Sequence, residues 1–262
     1  MIRIKKNGLV VYKFEHSGFS EFEHGFFSRK GGTSSGIYSS LNLGSTVGDD
    51  QERVNENKKR VLAFFGKQTD SIYDVWQVHG NDVVCTDKPR GTNEAHTKAD
   101  AIFSNNPQIT ILMRFADCVP ILLCDPVKKV TGIIHAGWKG TINNIVKSAI
   151  KKIREEYGCN AHDLIAGIGP SIGPDHYIVG IDVVNEAKRV FGKEYQNFFR
   201  VDKSKYFFDL WKTNEFFLKE QGIKEIETSS ICTACNLTDW YSHRMENGRT
   251  GRFGAVISVK KD

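Results

Sequence analysis

ADCVPILLCDPVKKVTGIIHAGWKGT, residues 116–141, contains two short apolar runs, 119–124 and 130–134, joined by Asp125-Pro126 and two lysines. Runs of this length bounded by turn signals read as buried strands, so the stretch predicts a β-β connection. Cys118 stands immediately before the first run and His135 closes the second. Gly137 and Gly140 follow, leaving open space beside the imidazole and in front of a predicted helix. A thiol and an imidazole on neighbouring strands, flanked by glycines, mark a site more than a core.

Downstream, residues 141–157 predict one helix: Ile142, Ile145, Val146, Ala149, Ile150 and Ile153 form an apolar stripe, Lys147, Lys151 and Lys152 the opposite face, and Gly158 the stop. Residues 164–168 read as a buried strand entering a Gly/Pro-rich turn, 183–191 and 210–220 as helices, 227–231 as strand-like and 253–259 as a last strand. Upstream, 109–115 and 101–104 read as strands, and 86–98 as a polar loop. Residues 72–84 alternate around His79-Gly80-Asn81-Asp82, a hairpin-like corner with His79 at its apex. Residues 51–65 predict a helix. Residues 31–50, rich in Gly, Ser and Asn, predict a long ordered loop tied down by Ile37, Tyr38, Leu41 and Leu43. Residues 1–30 alternate as strands. Irregular alternation of strands and helices, without repeat or linker, predicts a mixed layered α/β fold in a single domain over residues 1–262.

With 40% hydrophobic and 26% charged residues, the composition is that of an ordinary globular protein. The net charge of +5 is spread along the chain, which favours small anions such as phosphate over nucleic acid. No apolar run is long enough for a membrane span, and the basic start lacks a signal-peptide apolar region, so a cytoplasmic protein is expected. Six cysteines are too few for a secreted disulfide framework. Cys85, Cys124 and Cys159 read as small buried hydrophobes. His16, His24, His96, His162 and His176 read as solvated or capping.

His79, Cys118 and His135 are candidate metal ligands. Their spacings of 39 and 17 residues (118 − 79 and 135 − 118) are unlike a zinc finger, so the fold would have to gather them. Two imidazoles and one thiolate suit Zn²⁺ with a fourth position left for water, the pattern of catalytic zinc. The same residues also suit a cysteine hydrolase, with Cys118 as nucleophile and a histidine as base. A closed, non-catalytic zinc site is a third reading, its fourth ligand sought among Asp117, Cys124 and His243. Cys232-x-x-Cys235 has no second such pair, and a structural role is expected for it.

Several motifs occur in order: FSRKGG (27–32), SLNLG (40–44), QVHG (77–80), ADCVP (116–120), HAGWKGT (135–141), GPSIG (169–173), FDL (208–210), Cys232-Thr233, and Ser242-His243-Arg244 with Thr250-Gly251-Arg252. Over about residues 24–259 the chain resembles the YfiH/YlmD family. The resemblance implies layered sheets flanked by helices and a zinc site of His79, Cys118 and His135. It implies enzymes that phosphorolyse adenosine, inosine, guanosine and S-methyl-5′-thioadenosine and deaminate adenosine, so the expected partners are purine nucleosides and phosphate. Older family labels say polyphenol oxidase or laccase, and some bacterial members are linked to peptidoglycan editing, which makes an amidohydrolase the alternative. Eight histidines with no His-x-His pair do not supply the ligands of a multicopper oxidase, which leaves Cu²⁺ as an adventitious occupant. Ser171 stands where the family commonly has Cys, His243 where Tyr is usual, and Lys139 where Arg is usual.

Within that activity, Asp117 and Asp100 are candidates for proton handling. Arg29 and Arg244 are candidate phosphate clamps, Asn42 a hydrogen-bond partner for ribose or base, and Trp138 a stacking platform for the purine. No feature calls for an oligomer, and a monomer is expected.

Overall fold

The computed structural model describes residues 1–91 and 94–260. The predicted hairpin lies at its centre: β8 (Val119–Asp125) pairs antiparallel with β9 (Val130–Ala136), and every residue of both strands is buried. The other strands, in chain order, are β1 (Ile2–Lys6), β2 (Leu9–Lys13), β3 (Phe22–Phe27), β4 (Ile72–Tyr73), β5 (Val83–Cys85), β6 (Ala101–Ser104), β7 (Thr110–Phe115), β10 (Ile165–Ile168), β11 (Ile178–Val179), β12 (Phe199–Asp202), β13 (Lys205–Phe208), β14 (Glu225–Thr228) and β15 (Phe253–Val259). They form one six-stranded sheet in the order β1-β2-β3-β15-β7-β4, a second in the order β14-β10-β8-β9-β6-β5, and a small sheet β11-β13-β12.

Alternation along β8 explains the layering. Val119, Ile121 and Leu123 face the helices α2 (Trp138–Ile142), α3 (Ile145–Tyr157), α4 (Ile181–Phe191) and α5 (Leu210–Glu220), whereas Leu122 and Cys124 face the first sheet. A strand buried on both faces reads as a continuous apolar run. The first sheet presents Phe26, Met113 and Ala255 to that shared core, and Val11, Leu112 and Val256 to α1 (Gln51–Ala63) on its outer side. The result is a mixed α/β fold of two stacked sheets with helices outside each.

Three local expectations are corrected. Residues 72–84 are not a hairpin: β4 runs parallel to β7 in the first sheet and β5 parallel to β6 in the second. His79 therefore lies on a crossover between sheets. The helix expected over 141–157 is broken at Asn143-Asn144, where Asn144 takes φ 53° and its side chain accepts a hydrogen bond from Lys147 N. An Asn that bonds its own backbone competes with helix continuation and starts a new helix as an N-cap. The strand before Cys232 ends earlier than expected, at Thr228. The loop expected over 86–98 holds among its described residues, while 92 and 93 lie outside them.

His24 is not solvated. It is 4% exposed beside Phe14 and Phe19. Nε2 accepts from Phe14 N at 3.1 Å and Nδ1 faces Phe22 O at 3.3 Å, which defines a neutral, Nδ1-protonated ring. Burial lowers its pKa from 6.5 to about 4. Between those values the unfolded chain binds a proton that the fold refuses. Stability from this group is complete above pH 6.5 and falls towards pH 4, by about 3 kcal/mol in total at 1.36 kcal/mol per unit. Urea unfolding at pH 5 and pH 7 should show this loss, and His24→Gln should remove most of the difference.

Candidate active site

The register of the central hairpin places Val119 opposite Ala136, which sets Cys118 beside Gly137. The crossover then brings His79 onto the same spot, with Nδ1 3.9 Å from Cys118 Sγ. The ligand-capable atoms of His79, Cys118 and His135 all lie within 4.8 Å of one another. A Cβ on Gly137 would sit 2.9 Å from His79 Nδ1 and 3.0 Å from Cys118 Sγ, so only glycine leaves this cradle open. His79 and Asp117 both take positive φ, 59° and 85°. Such strain in non-glycine residues gathers where the surroundings hold a functional geometry.

Asp100 organises the cluster. It is fully buried, and His135 Nδ1 donates to Oδ1 at 2.7 Å, leaving Nε2 for the site. The same carboxylate accepts from Val78 N at 3.2 Å, His79 N at 3.0 Å and Gly80 N at 2.7 Å. One carboxylate thus orients the ring of one histidine and the backbone of the other, as partners of metal-ligating histidines do. Burial works against the charge on Asp100, but the His135 hydrogen bond and charge and the backbone donors outweigh it and lower its pKa. Burial likewise opposes ionisation of Cys118 and His135. Their mutual attraction, helped by His79 and Asp100, wins, lowering the thiol and raising the imidazole. Both shifts favour the thiolate–imidazolium form of the metal-free pair over the neutral one. With Zn²⁺, His135 gives up that proton. Two imidazoles and a thiolate with an oriented second partner fit Zn²⁺.

The cluster floors a cavity of about 640 Å³. Among the expected site residues, Asp117, Trp138 and Arg244 line it, and Asp100 lies behind it. Asp117 is spent on positioning: Oδ1 accepts from Thr233 Oγ1 and Oδ2 from Arg244 N, both at 2.6 Å. The Arg244 guanidinium donates to Ile178 O and lies 5.0 Å from the Tyr177 ring centroid. Arg29 is elsewhere. It donates to Ser39 O, Leu237 O and Glu246 Oε1 and packs on Tyr241, so its donors bind the chain itself. Asn42 is fully buried, and its Oδ1 accepts from Gly44 N at 2.9 Å and Arg252 N at 2.8 Å. It holds two lining residues in place without reaching the cavity.

The cavity also takes Trp76, Gln77, Tyr177 and Arg252, none of them expected from the sequence, and His243, expected only as a fourth ligand of a closed zinc site. Gln77, His243 and Arg252 stand inside the motifs quoted above, and that membership is the signal that could have found them. Arg252 is partly buried, its pKa lowered by burial against the attraction of Cys118 and Asp117. Burial also lowers His243, reinforced by Arg252 and opposed by Asp117, so its ring is neutral at neutral pH.

Fold and cavity together describe a mixed α/β protein with a Cys/His₂ set able to hold a metal ion under a cationic, aromatic cavity. Comparison with known proteins then gives the family. Residues 23–260 match the family model described as multi-copper polyphenol oxidoreductase laccase, and the chain belongs to that family, which includes YfiH and YlmD. It is 33% identical over 245 residues to purine nucleoside phosphorylase YlmD of Bacillus subtilis, covering 90% of this chain and 88% of that one. It is 31% identical to purine nucleoside phosphorylase YfiH of Escherichia coli strain K12, covering 88% and 90%. The crystal structure of YlmD from Geobacillus stearothermophilus superposes with a TM-score of 0.91 at 28% identity, covering 98% of both chains.

Proposed function

We propose that the chain, acting as one domain, is a purine nucleoside phosphorylase that holds Zn²⁺ with His79, Cys118 and His135. Its proposed substrates are adenosine, inosine, guanosine and S-methyl-5′-thioadenosine, with adenosine deamination as a second reaction. The observation that carries this reading is the convergence of these three side chains at the floor of a cavity whose walls offer Lys139, Arg244 and Arg252 with Trp76, Trp138 and Tyr177. The names of the relatives support it. Bound there, Zn²⁺ supplies Lewis-acid polarisation.

In phosphorolysis a phosphate oxygen bonds to C1′, the C1′–N9 bond breaks, and the departing purine takes a proton. Arg252 and Lys139 neutralise the phosphate, while Trp138 and Trp76 offer faces to the base. His243 lines the cavity, its ring nitrogens make no hydrogen bond within the described residues, and it is the group proposed to pass the proton. Asp117 and Asp100, with their oxygens already engaged, position Arg244 and the two histidines. Deamination replaces the C6 amino group with water oxygen and releases ammonia, with His243 again the titratable group on the wall.

Arg252→Gln removes the cation and the guanidinium's bonds to Thr250 O and Gly251 O but leaves the backbone N–H bond to Asn42 Oδ1. Its KM for phosphate should rise about ten- to a hundredfold, the weight of a charge-assisted hydrogen bond, with a smaller change in KM for inosine. The activity itself is tested by chromatography of adenosine, inosine and methylthioadenosine incubations with and without phosphate. Phosphate-dependent release of free base supports the phosphorylase. A cysteine hydrolase is the second reading, favoured by the Cys118–His135 ion pair. It predicts that added Zn²⁺ inhibits and that nucleosides remain intact.

A further inference from the structure

Cys232-x-x-Cys235 lacks a second ligand pair in the sequence, but the fold supplies one. The loop after β14 brings both thiols to the turn 173–177, where Asp175 and His176 project. His176 Nδ1 lies 3.8 Å from Cys232 Sγ and 3.6 Å from Cys235 Sγ. Asp175 Oδ1 lies 2.9 Å from the same nitrogen. The four ligand-capable atoms fall within 4.8 Å of one another, and both cysteines are free. His176 is thus neither solvated nor capping.

We propose that Cys232, Cys235, His176 and Asp175 form a second Zn²⁺ site, separate from the cavity cluster. The donor set of two thiolates, an imidazole and a carboxylate is one zinc prefers. Zinc–ligand lengths of about 2.3 Å to sulfur and 2.0–2.1 Å to nitrogen give tetrahedral N···S edges of about 3.5 Å. The observed N···S separations of 3.6 and 3.8 Å match that edge. The backbone is shaped for the cluster. Gly173 N donates to Cys232 Sγ at 3.2 Å, which fixes the sulfur beside the turn. A Cβ on Gly173 would stand 2.9 Å from Asp175 Oδ1 and 3.2 Å from Cys232 Sγ, so the cradle exists because this residue is glycine.

The site joins two pieces of the cavity wall. Its first segment leads directly into Tyr177, against which Arg244 packs. Its second carries Thr233, which holds Asp117. Ser171 and Cys232 are joined by an isolated parallel bridge, and the metal clamps the strands beyond it. The ion is therefore structural: it fixes the wall while the cavity cluster faces substrate.

The test is metal content of the full chain purified under thiol reductant and equilibrated with Zn²⁺. Wild type should hold about two equivalents, and Cys118→Ser and Cys235→Ser about one each. Cys235 is exposed, so its serine variant should fold. Cobalt substitution gives an independent reading. In Cys118→Ser the thiolate-to-cobalt charge-transfer band should persist, and adding Cys232→Ser together with Cys235→Ser should abolish it. One equivalent in wild type that is lost entirely in Cys118→Ser would overturn the proposal. So would a metal content in Cys235→Ser equal to wild type, or a Cys232–Cys235 disulfide in the reduced preparation.

Discussion

Replacing Cys118 by Ser is expected to empty the cavity metal site and lower nucleoside turnover about a thousandfold, with the fold intact. Cys118 precedes β8 and is only half-buried, and serine fills nearly the same volume, so the hairpin keeps its register. What changes is the donor. A hydroxyl is a harder ligand that does not ionise near neutral pH, and it leaves two imidazoles to hold the ion alone. Metal catalysis contributes several kcal/mol to such steps, and each 1.36 kcal/mol is tenfold in rate. Metal analysis beside kcat measures both effects. Full activity without metal in Cys118→Ser would contradict the assignment.

Asp100→Asn is expected to weaken metal affinity ten- to a hundredfold, with a matching loss of activity at limiting zinc. The native carboxylate accepts from three consecutive backbone N–H groups and from His135 Nδ1. An amide has one oxygen and an NH₂ that would face donors. Whichever way it turns, either the crossover carrying His79 or the ring of His135 loses its acceptor. Because Asp100 is fully buried, the unpaired group also destabilises the fold, by about 1–3 kcal/mol. Zinc competition titration and urea unfolding separate the two losses. Unchanged zinc affinity in a folded Asp100→Asn would show that this carboxylate does not orient the cluster.

How much of this was legible in the chain depends on sequence distance. Continuous apolar runs gave away β8 and β9, and the proximity of Cys118 and His135 follows from their hairpin alone. His79 was harder: its alternating segment is shared between two sheets, and only the parallel pairings β4–β7 and β5–β6 carry it to the thiol. Those pairings are long-range and leave no local pattern. A carboxylate near a ligand suggests a proton carrier, whereas the neighbours of Asp100 show an acceptor shared among four donors. Arg29 and Asn42 sit in or beside the long 31–50 loop. A loop of that length must satisfy its own backbone: Asn42 accepts from Gly44 N, while Arg29 donates to Ser39 O and ties the loop to Leu237 O and Glu246 Oε1. The clamp role is proposed instead for Arg252, which lines the cavity and whose backbone N–H is held by Asn42, 210 residues away. Turn chemistry at Asn143-Asn144 was visible in the residues but was outweighed by the apolar stripe around it.

Phosphorolysis in this cavity is tested by phosphorus NMR of inosine and phosphate incubated with the zinc-loaded protein. A ribose 1-phosphate signal growing in step with hypoxanthine is the predicted result. Hypoxanthine with free ribose, or intact inosine in the presence of bound zinc, would contradict it.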